Sequence, residues 1–184
     1  KICQINGYNY VSHAVNLGLA AAFQTGMMYA HRNGYDAAIQ FDGDGQHNAE
    51  YIADMLKKLD EGNDIVIGSR FVSESKPKSM RMLGNNLIQA AIKLTTGNRI
   101  TDPTSGMRMF DRKMITILSQ AIDFGPEPDT IAFLIRGGAK VCECQVKMNE
   151  RFAGESYLTP WRSVKYMLHM FVSILLLQWF RGKA

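Results

Sequence analysis

Residues 36–41 read DAAIQF, and residues 42–47, directly after them, read DGDGQH. The first six residues are mostly apolar and do not alternate with polar ones, which is typical of a short strand covered on both faces. The next six are polar and rich in glycine, which ends a strand. Open α/β sheets bind ligands at such strand ends. This junction therefore predicts both a buried sheet and a site at its edge.

Strand and helix patterns alternate on either side of this junction. The alternation, in a chain of 184 residues that is 46% hydrophobic, predicts one α/β domain with a largely parallel sheet. We expect a catalytic domain at 1–158 and an amphipathic helix at 159–184. Further strands are predicted at 64–68, 107–110 and 140–146, and helices at 15–32, 51–59, 80–96, 112–121, 130–136 and 159–180.

The net charge and the cysteine content indicate which ligands and which cellular location suit the protein. The formal net charge is +4, a mild excess that suits an anionic ligand or an anionic membrane surface and does not require nucleic acid. The chain contains three cysteines, Cys3, Cys142 and Cys144, an odd number that gives no disulfide framework. We expect them to be reduced and structural, which favours a cytoplasmic location.

Three oxygen-bearing side chains share one face of the segment after the first strand. In extended backbone, residues i, i+2 and i+4 point the same way, which brings together Asp42, Asp44 and Gln46. Mg²⁺ and Mn²⁺ prefer such ligands and keep open positions for phosphate oxygens. A polar turn rich in Asp and Gly, with no metal, is the alternative that these residues leave open.

Five short blocks follow one another along the chain: NLG at 16–18, DGDGQH at 42–47, GSR at 68–70, DPTSGMR at 102–108 and RFAGES at 151–156. Through these blocks the chain resembles the family 2 glycosyltransferases, in the branch that acts on polyprenyl phosphates and includes dolichol-phosphate-mannose synthase. The resemblance implies the GT-A fold, a Rossmann-like nucleotide-diphospho-sugar transferase fold, with a DxD metal motif at Asp42 and Asp44. The family's opening strands, with their Pro-x-Tyr-Asn-Glu and Asp-Asp-Gly-Ser stretches, are absent. We therefore expect an N-terminally truncated domain with an incomplete donor pocket and weak nucleotide binding.

The resemblance also implies roles for individual residues on the donor side. A cation at Asp42, Asp44 and Gln46 would take up the charge of the leaving nucleoside diphosphate. Arg70 would contact the donor diphosphate, or instead pair with a carboxylate and order its loop. Arg151 and Ser156 would close over the diphosphate, with the guanidinium binding at two points. A flexible surface loop is the alternative for these last two residues.

On the acceptor side, the segment 102–108 provides the candidates. Inversion at the sugar carbon requires a base for the acceptor proton, and Asp102 is the predicted base. Alternatively Asp102 only caps its turn, and Glu127 and Asp129 are then the other candidate carboxylates. Ser105 and Arg108 are predicted to bind the acceptor, although Arg108 could equally form a structural ion pair.

These expectations combine into one function. The chain is predicted to be an inverting glycosyltransferase that uses a nucleotide sugar and Mg²⁺ or Mn²⁺. Its acceptor would be a polyprenyl phosphate or a lipid-linked glycan of a cell-surface polysaccharide pathway. The apolar last helix has basic flanks and could lie at the inner face of the cell membrane or against a membrane protein, or could pack in the core. Two alternatives are a nucleotidyltransferase and an inactive transferase-like scaffold at the membrane.

Overall fold

The computed structural model describes residues 2–120, 124–149, 160–176 and 180. These residues form helices and strands in alternation, as the sequence predicts. A 3-10 turn, Ala49–Tyr51, directly precedes the third helix. The strands are β1 (Ala37–Gln40), β2 (Ile65–Ser69), β3 (Arg108–Asp111) and β4 (Val141–Gln145), and the helices are α1 (Ile2–Ile5), α2 (Gly18–Arg32), α3 (Ile52–Asp60), α4 (Met80–Thr96), α5 (Arg112–Gln120), α6 (Pro128–Arg136) and α7 (Pro160–Leu175).

The described strands form one mixed sheet in the order β1-β3-β2-β4. The pairs β1–β3 and β3–β2 are antiparallel, and β2–β4 is parallel. The α/β prediction is confirmed, and β1, β2 and β4 run in the same direction, whereas the antiparallel β3 makes the sheet mixed. Strand β3 is antiparallel because the turn 102–107, which leads into it, lies at the sheet edge where β2 ends. It must then run back between β1 and β2.

The core lies on both faces of the sheet. Ile65 and Ile67 of β2 point into a larger cluster built with α2 and α4–α7, whereas Val66 points into a smaller cluster with α3. Strand β2 is buried throughout, as its uninterrupted apolar sequence predicts.

Helix α4 shows how local sequence sets an element's bounds. The Ser79 hydroxyl accepts a hydrogen bond from the Met82 N–H at 3.3 Å, which satisfies a free donor of the first turn. Gly97 ends the helix with φ 75°, a left-handed conformation that glycine adopts without strain. The predicted bounds of this helix, 80–96, are those observed.

Helix α7 packs against α4 and α6. Met170 and Ile174 are buried in the larger cluster, so one face of the helix belongs to the core. The predicted helix spans 159–180, but 177–179 lie outside the described residues. The division of the chain at residue 158 stays a prediction. Among the described helices, none combines the length and the hydropathy that crossing a bilayer requires.

Candidate functional site

Three segments meet at one edge of the sheet. Because β1, β2 and β4 run in the same direction, their carboxyl ends lie together, and the antiparallel β3 begins at that same edge. The loop 42–47 follows β1, Arg70 follows β2, and the turn 102–107 leads into β3. This edge holds every predicted site residue that the structure describes.

His47 fixes the loop that follows β1. Its Nδ1 accepts the backbone N–H of Asp42 at 2.9 Å, and its ring packs edge-on against Phe41 with centroids 5.3 Å apart. The imidazole is 4% exposed. Burial lowers the pKa of His47, while the charges of Asp42 and Asp44 oppose that shift. A neutral ring with a free lone pair at Nδ1 is the form that this hydrogen bond requires.

The Asp42 carboxylate lies in a tight cradle against the turn 102–107. A Cβ atom placed on Gly106 would stand 2.9 Å from Asp42 Oδ2 and 3.4 Å from His47 Cε1. Real Cβ atoms do not approach that closely, so a side chain at position 106 would require the Asp42 carboxylate to shift. The carboxylate keeps 44% of its surface exposed, and the His47 Nε2 is 3.9 Å from its Oδ2.

The residues of this loop fit a hard divalent cation. Asp44 Oδ1 accepts the Gln46 backbone N–H at 3.0 Å, which folds the loop so that Asp42 and Asp44 both act electrostatically on His47. Two carboxylates and an amide oxygen are the donors that Mg²⁺ and Mn²⁺ prefer. Among the described residues, no cluster of three or more His, Cys, Asp or Glu side chains is placed to hold a metal. A cation bound here would therefore be coordinated by Asp42, Asp44 and Gln46, together with oxygen atoms of a bound substrate.

Arg70 and Asp102 form a two-point ion pair behind this loop. The Arg70 Nε donates to Oδ2 at 2.7 Å and its Nη2 donates to Oδ1 at 2.9 Å. The Asp102 carboxylate is 0% exposed, whereas the Arg70 side chain is 23% exposed. Of the two roles left open for Arg70, the structure shows the pairing with a carboxylate. For Asp102 the contacts are those of an anchor, and its role as a general base stays a prediction.

A polar network extends from this ion pair into α4. The Asn85 amide is fully buried and donates to Asp102 Oδ1 at 3.1 Å and to Thr104 Oγ1 at 2.8 Å. Its carbonyl accepts from the Lys76 ammonium, which also binds two further amide oxygens of α4, all at 2.5–2.9 Å. Burial lowers the pKa of Lys76, while Asp102 and Glu143 oppose that shift. Lys76 thus connects the polar loop 73–79 to the site through its hydrogen bond with Asn85.

Strand β4 contributes two side chains that hold the surrounding loops. Glu143 accepts the backbone N–H groups of Thr101 and Asp102 at 2.8 and 2.9 Å, and also the Thr101 hydroxyl at 2.9 Å. Gln145 accepts the Ser73 N–H at 2.9 Å and donates to the Arg70 carbonyl at 3.0 Å. Both the ion pair and its flanking loop are therefore fixed from β4.

The two predicted acceptor-binding residues are buried at the edge. The Ser105 hydroxyl donates to the Gly68 carbonyl and accepts the Met107 N–H at 3.2 Å. The Arg108 guanidinium donates to the Pro103 carbonyl at 2.9 Å and to the Glu127 carbonyl at 3.3 Å. Both side chains are 1% exposed, so as placed they hold the turn and do not face solvent. Their binding of an acceptor stays a prediction.

Arg108 also connects the turn to the last helix. Burial lowers the pKa of Arg108, and the Tyr166 and Glu127 side chains are the groups that oppose the shift most. The Tyr166 hydroxyl of α7 donates to the Glu127 carboxylate. Asp129, the other alternative carboxylate, is buried and accepts the Ser173 hydroxyl at 2.7 Å. Neither Glu127 nor Asp129 is therefore an exposed carboxylate at the sheet edge.

The other predicted residues, Arg151, Ser156 and the three cysteines, are not part of the site at the sheet edge as the structure describes it. Arg151 and Ser156 lie outside the described residues. Cys3, Cys142 and Cys144 are free thiols, and burial raises the pKa of Cys142 and Cys144, which favours the protonated form of both. A cleft of about 510 Å³ lies between the segment 9–17 and α2. It shares no lining residue with the strand-end site, and its lining carries no carboxylate, so the metal chemistry has no place there.

Sequence reasoning missed several residues of the site, and two of these, Glu143 and Asn85, had a signal in the sequence. Glu143 is a single charge inside an apolar strand pattern, and Asn85 is an amide inside a helix with an apolar face. A polar group in such a position must find a partner when it is buried. His47 and Lys76 gave no comparable signal, because histidine and lysine are ordinary in polar loops.

Comparison with known proteins gives a family match. A family model described as glycosyl transferase family 2 matches residues 2–118, which include Asp42, Asp44, Arg70 and Asp102. Similarity to individual curated proteins extends further along the chain. The chain is 31% identical over 116 residues to the UDP-N-acetylglucosamine–dolichyl-phosphate N-acetylglucosaminyltransferase of Methanococcus voltae, covering 61% of this chain and 46% of that protein.

Two further relatives cover more of the chain. It is 28% identical over 149 residues to the polyprenol monophosphomannose synthase of Mycolicibacterium smegmatis, covering 77% of this chain and 56% of that protein. It is also 28% identical over 152 residues to the undecaprenyl-phosphate mannosyltransferase of Micrococcus luteus, covering 77% and 61%. The chain thus spans about half the length of the curated relatives that it matches.

Proposed function

Because the chain belongs to glycosyl transferase family 2, we propose that it transfers a sugar from a nucleotide sugar to a polyprenyl phosphate or a lipid-linked glycan. The relatives support this acceptor class, since their names specify dolichyl phosphate, polyprenol and undecaprenyl phosphate. Such a reaction fits a cell-surface polysaccharide pathway. It also fits a protein that works at the inner face of a membrane, where such acceptors lie.

One observation carries the proposal. The partly exposed Asp42 carboxylate and Asp44 lie at the same sheet edge as the Arg70–Asp102 ion pair, and the charges of Asp42, Asp44 and Arg70 all act on His47. In that pair Asp102 is buried, whereas Arg70 is partly exposed to solvent. Negative charge that can hold a cation therefore lies beside positive charge that can meet a phosphate. A nucleoside diphosphate with its divalent cation needs both.

Asp42, Asp44 and Gln46 are the residues that would hold Mg²⁺ or Mn²⁺. When bound, the cation would supply Lewis-acid stabilisation of the diphosphate leaving group. His47 and Gly106 hold the Asp42 carboxylate in place for this task. Arg70, with Arg151 and Ser156 from the segment outside the described residues, is proposed to contact the same diphosphate.

A single displacement at the sugar carbon would invert its configuration. A phosphate acceptor loses its second proton near pH 6, so it is already a nucleophile at neutral pH and needs little help from a base. We therefore assign Asp102 to positioning Arg70. Ser105 and Arg108 would shape the acceptor side by fixing the backbone of the turn 102–107.

The experiment is a transfer assay with labelled nucleotide sugars, Mn²⁺ and undecaprenyl phosphate in detergent. The protein should carry any sequence that flanks this chain in its gene. Asp44→Ala is expected to abolish lipid-linked label, and Asp36→Ala is the matched control, because Asp36 is an exposed aspartate near the other end of β1. Transfer that persists in Asp44→Ala would defeat the metal assignment. Absence of transfer by the unaltered protein with every donor would defeat the proposed activity.

A further inference from the structure

Lys76, in the polar loop 73–79, binds neutral groups where a lysine ordinarily binds a carboxylate. Its ammonium donates to the amide oxygens of Asn85, Asn86 and Gln89 on α4 at 2.5, 2.9 and 2.8 Å. Three acceptors occupy all three donors of an ammonium group. In the part of the chain that the structure describes, no carboxylate lies within ion-pair distance of Lys76. The loop is therefore held against α4 by a cation that only amides bind.

The Asn85 amide connects Lys76 to the ion pair of Arg70 and Asp102. Its oxygen accepts from Lys76, and its nitrogen donates to Asp102 Oδ1 at 3.1 Å. A positive charge beside the oxygen and a negative charge beside the nitrogen favour the same orientation of the amide. In the opposite orientation, the NH₂ group would face the ammonium and the oxygen would face the carboxylate. Because Asn85 is 0% exposed, a lost contact on either side would leave a buried polar group without a partner.

An aromatic ring provides a second connection between Lys76 and Arg70. The centroid of the Phe71 ring lies 5.0 Å from the Arg70 Cζ and 5.6 Å from the Lys76 Nζ. Cations at such distances are attracted to the face of a ring. The hydrogen-bond network and the ring thus connect the same two cations by independent routes. The position of the Arg70 guanidinium therefore depends on that of Lys76.

We propose that Lys76 is a positioning residue for sugar transfer, which orients the Arg70 guanidinium toward the donor diphosphate. It acts through Asn85 and Asp102 and through the Phe71 ring. The proposal rests on the proposed function, in which Arg70 contacts that diphosphate. Asp102 occupies the Nε–H and one N–H of Nη2, so the remaining N–H groups of Arg70 would meet the ligand. Lys76 itself does not contact the diphosphate, because its three donors are already bound to amides.

The direct test observes the Arg70 Nε–H group in nitrogen–proton NMR spectra, where its signal is assigned by its loss in Arg70→Lys. Lys76→Ala is expected to shift or broaden this signal. Methylammonium, which can occupy the amide oxygens in place of the lysine head, should restore it. Lys76→Met repeats the test with the apolar stem of the side chain retained. The matched control is Lys78→Ala, because Lys78 is an exposed lysine of the same loop. An Arg70 signal that is the same in the Lys76 variants and in the control would overturn the proposal.

A transfer assay measures the consequence for the reaction. Lys76→Ala should lower kcat/KM for the nucleotide sugar by about ten- to a hundredfold, because a small misplacement of a positioned group has effects of this size. Methylammonium should restore part of the loss, and the KM for the acceptor should stay that of the Lys78→Ala control. A rise in the acceptor KM alone would overturn the proposal, since Lys76 would then act on the acceptor. Absence of transfer by every protein would count against the proposed function, and the Arg70 signal would still decide whether Lys76 positions that residue.

Discussion

Arg70 and Asp102 are joined at two points, with Nε 2.7 Å from Oδ2 and Nη2 2.9 Å from Oδ1. Arg70 directly follows β2, and Asp102 begins the turn that leads into β3. The ion pair therefore links two neighbouring segments at the sheet edge. The carboxylate is buried and the guanidinium is partly exposed. The pair therefore presents a fixed positive charge beside the Asp42 loop.

Neutralising Asp102 tests whether it anchors Arg70. Asp102→Asn keeps the size of the side chain but leaves the Arg70 charge without its partner, and we expect the free energy of unfolding to fall by about 3 kcal/mol. The measurement is urea denaturation followed by circular dichroism. Asp36→Asn is the control, because its ion pair with Arg112 is exposed on both sides and should contribute less than about 1 kcal/mol. A general base without a positioning role would instead lose transfer activity with unchanged stability.

Filling the cradle at Gly106 tests how closely the turn must approach Asp42. In Gly106→Ala the new methyl group would meet the carboxylate at 2.9 Å and displace it. We expect Mn²⁺ affinity to fall about 10- to 100-fold, as it does when groups that orient metal ligands are changed. Gly26→Ala is the matched control, since nothing lies within 4 Å of its added methyl group. Isothermal titration calorimetry with Mn²⁺ compares the two variants. Equal Mn²⁺ affinities would show that the close approach of Gly106 to Asp42 does not contribute to metal binding.

The Tyr166 phenol predicts a specific alkaline dependence of stability. Burial, with the neighbouring Glu127 carboxylate, raises the pKa of Tyr166 in the folded protein. The folded state thus holds this proton more tightly than the unfolded chain does. The stability that results is fully present below about pH 10 and is lost as the pH rises further, through the folded pKa.

Tyr166→Phe should accordingly lower the free energy of unfolding by about 2 kcal/mol at neutral pH, because a hydrogen bond to a charged group is removed. Well above pH 10 the difference between the two proteins should shrink. Denaturation at both pH values provides the measurement, with the exposed Tyr8→Phe as control. A difference that stays constant with pH would contradict the contact between Tyr166 and Glu127.

The sequence was sufficient to predict a structural element wherever neighbouring residues alone determine that element. The strand end at DGDGQH, the capped helix α4 and the buried strand β2 could all be predicted from neighbouring residues. The antiparallel course of β3 could not, because strand direction depends on where the preceding turn is pinned. That turn is held by Glu143, which lies about 40 residues further along the chain.

The roles of the turn residues illustrate the same limit. Asp102, Ser105 and Arg108 all lie in a motif that the family resemblance marks as functional, yet burial decides what each one touches. Asp102 is reached by Asn85 and Arg70, residues that lie 17 and 32 positions away. No spacing rule predicts such partners.

The central claim is that Asp42 and Asp44 hold a divalent cation at the edge of the sheet. Electron paramagnetic resonance of Mn²⁺ tests it directly, because the signal of free aqueous Mn²⁺ disappears on binding. If these aspartates hold the cation, the protein should bind one Mn²⁺ per chain, and Asp44→Ala, with an unchanged circular dichroism spectrum, should bind it at least about tenfold more weakly. Equal Mn²⁺ binding by the protein and by Asp44→Ala would show that Asp44 is not a ligand of the cation.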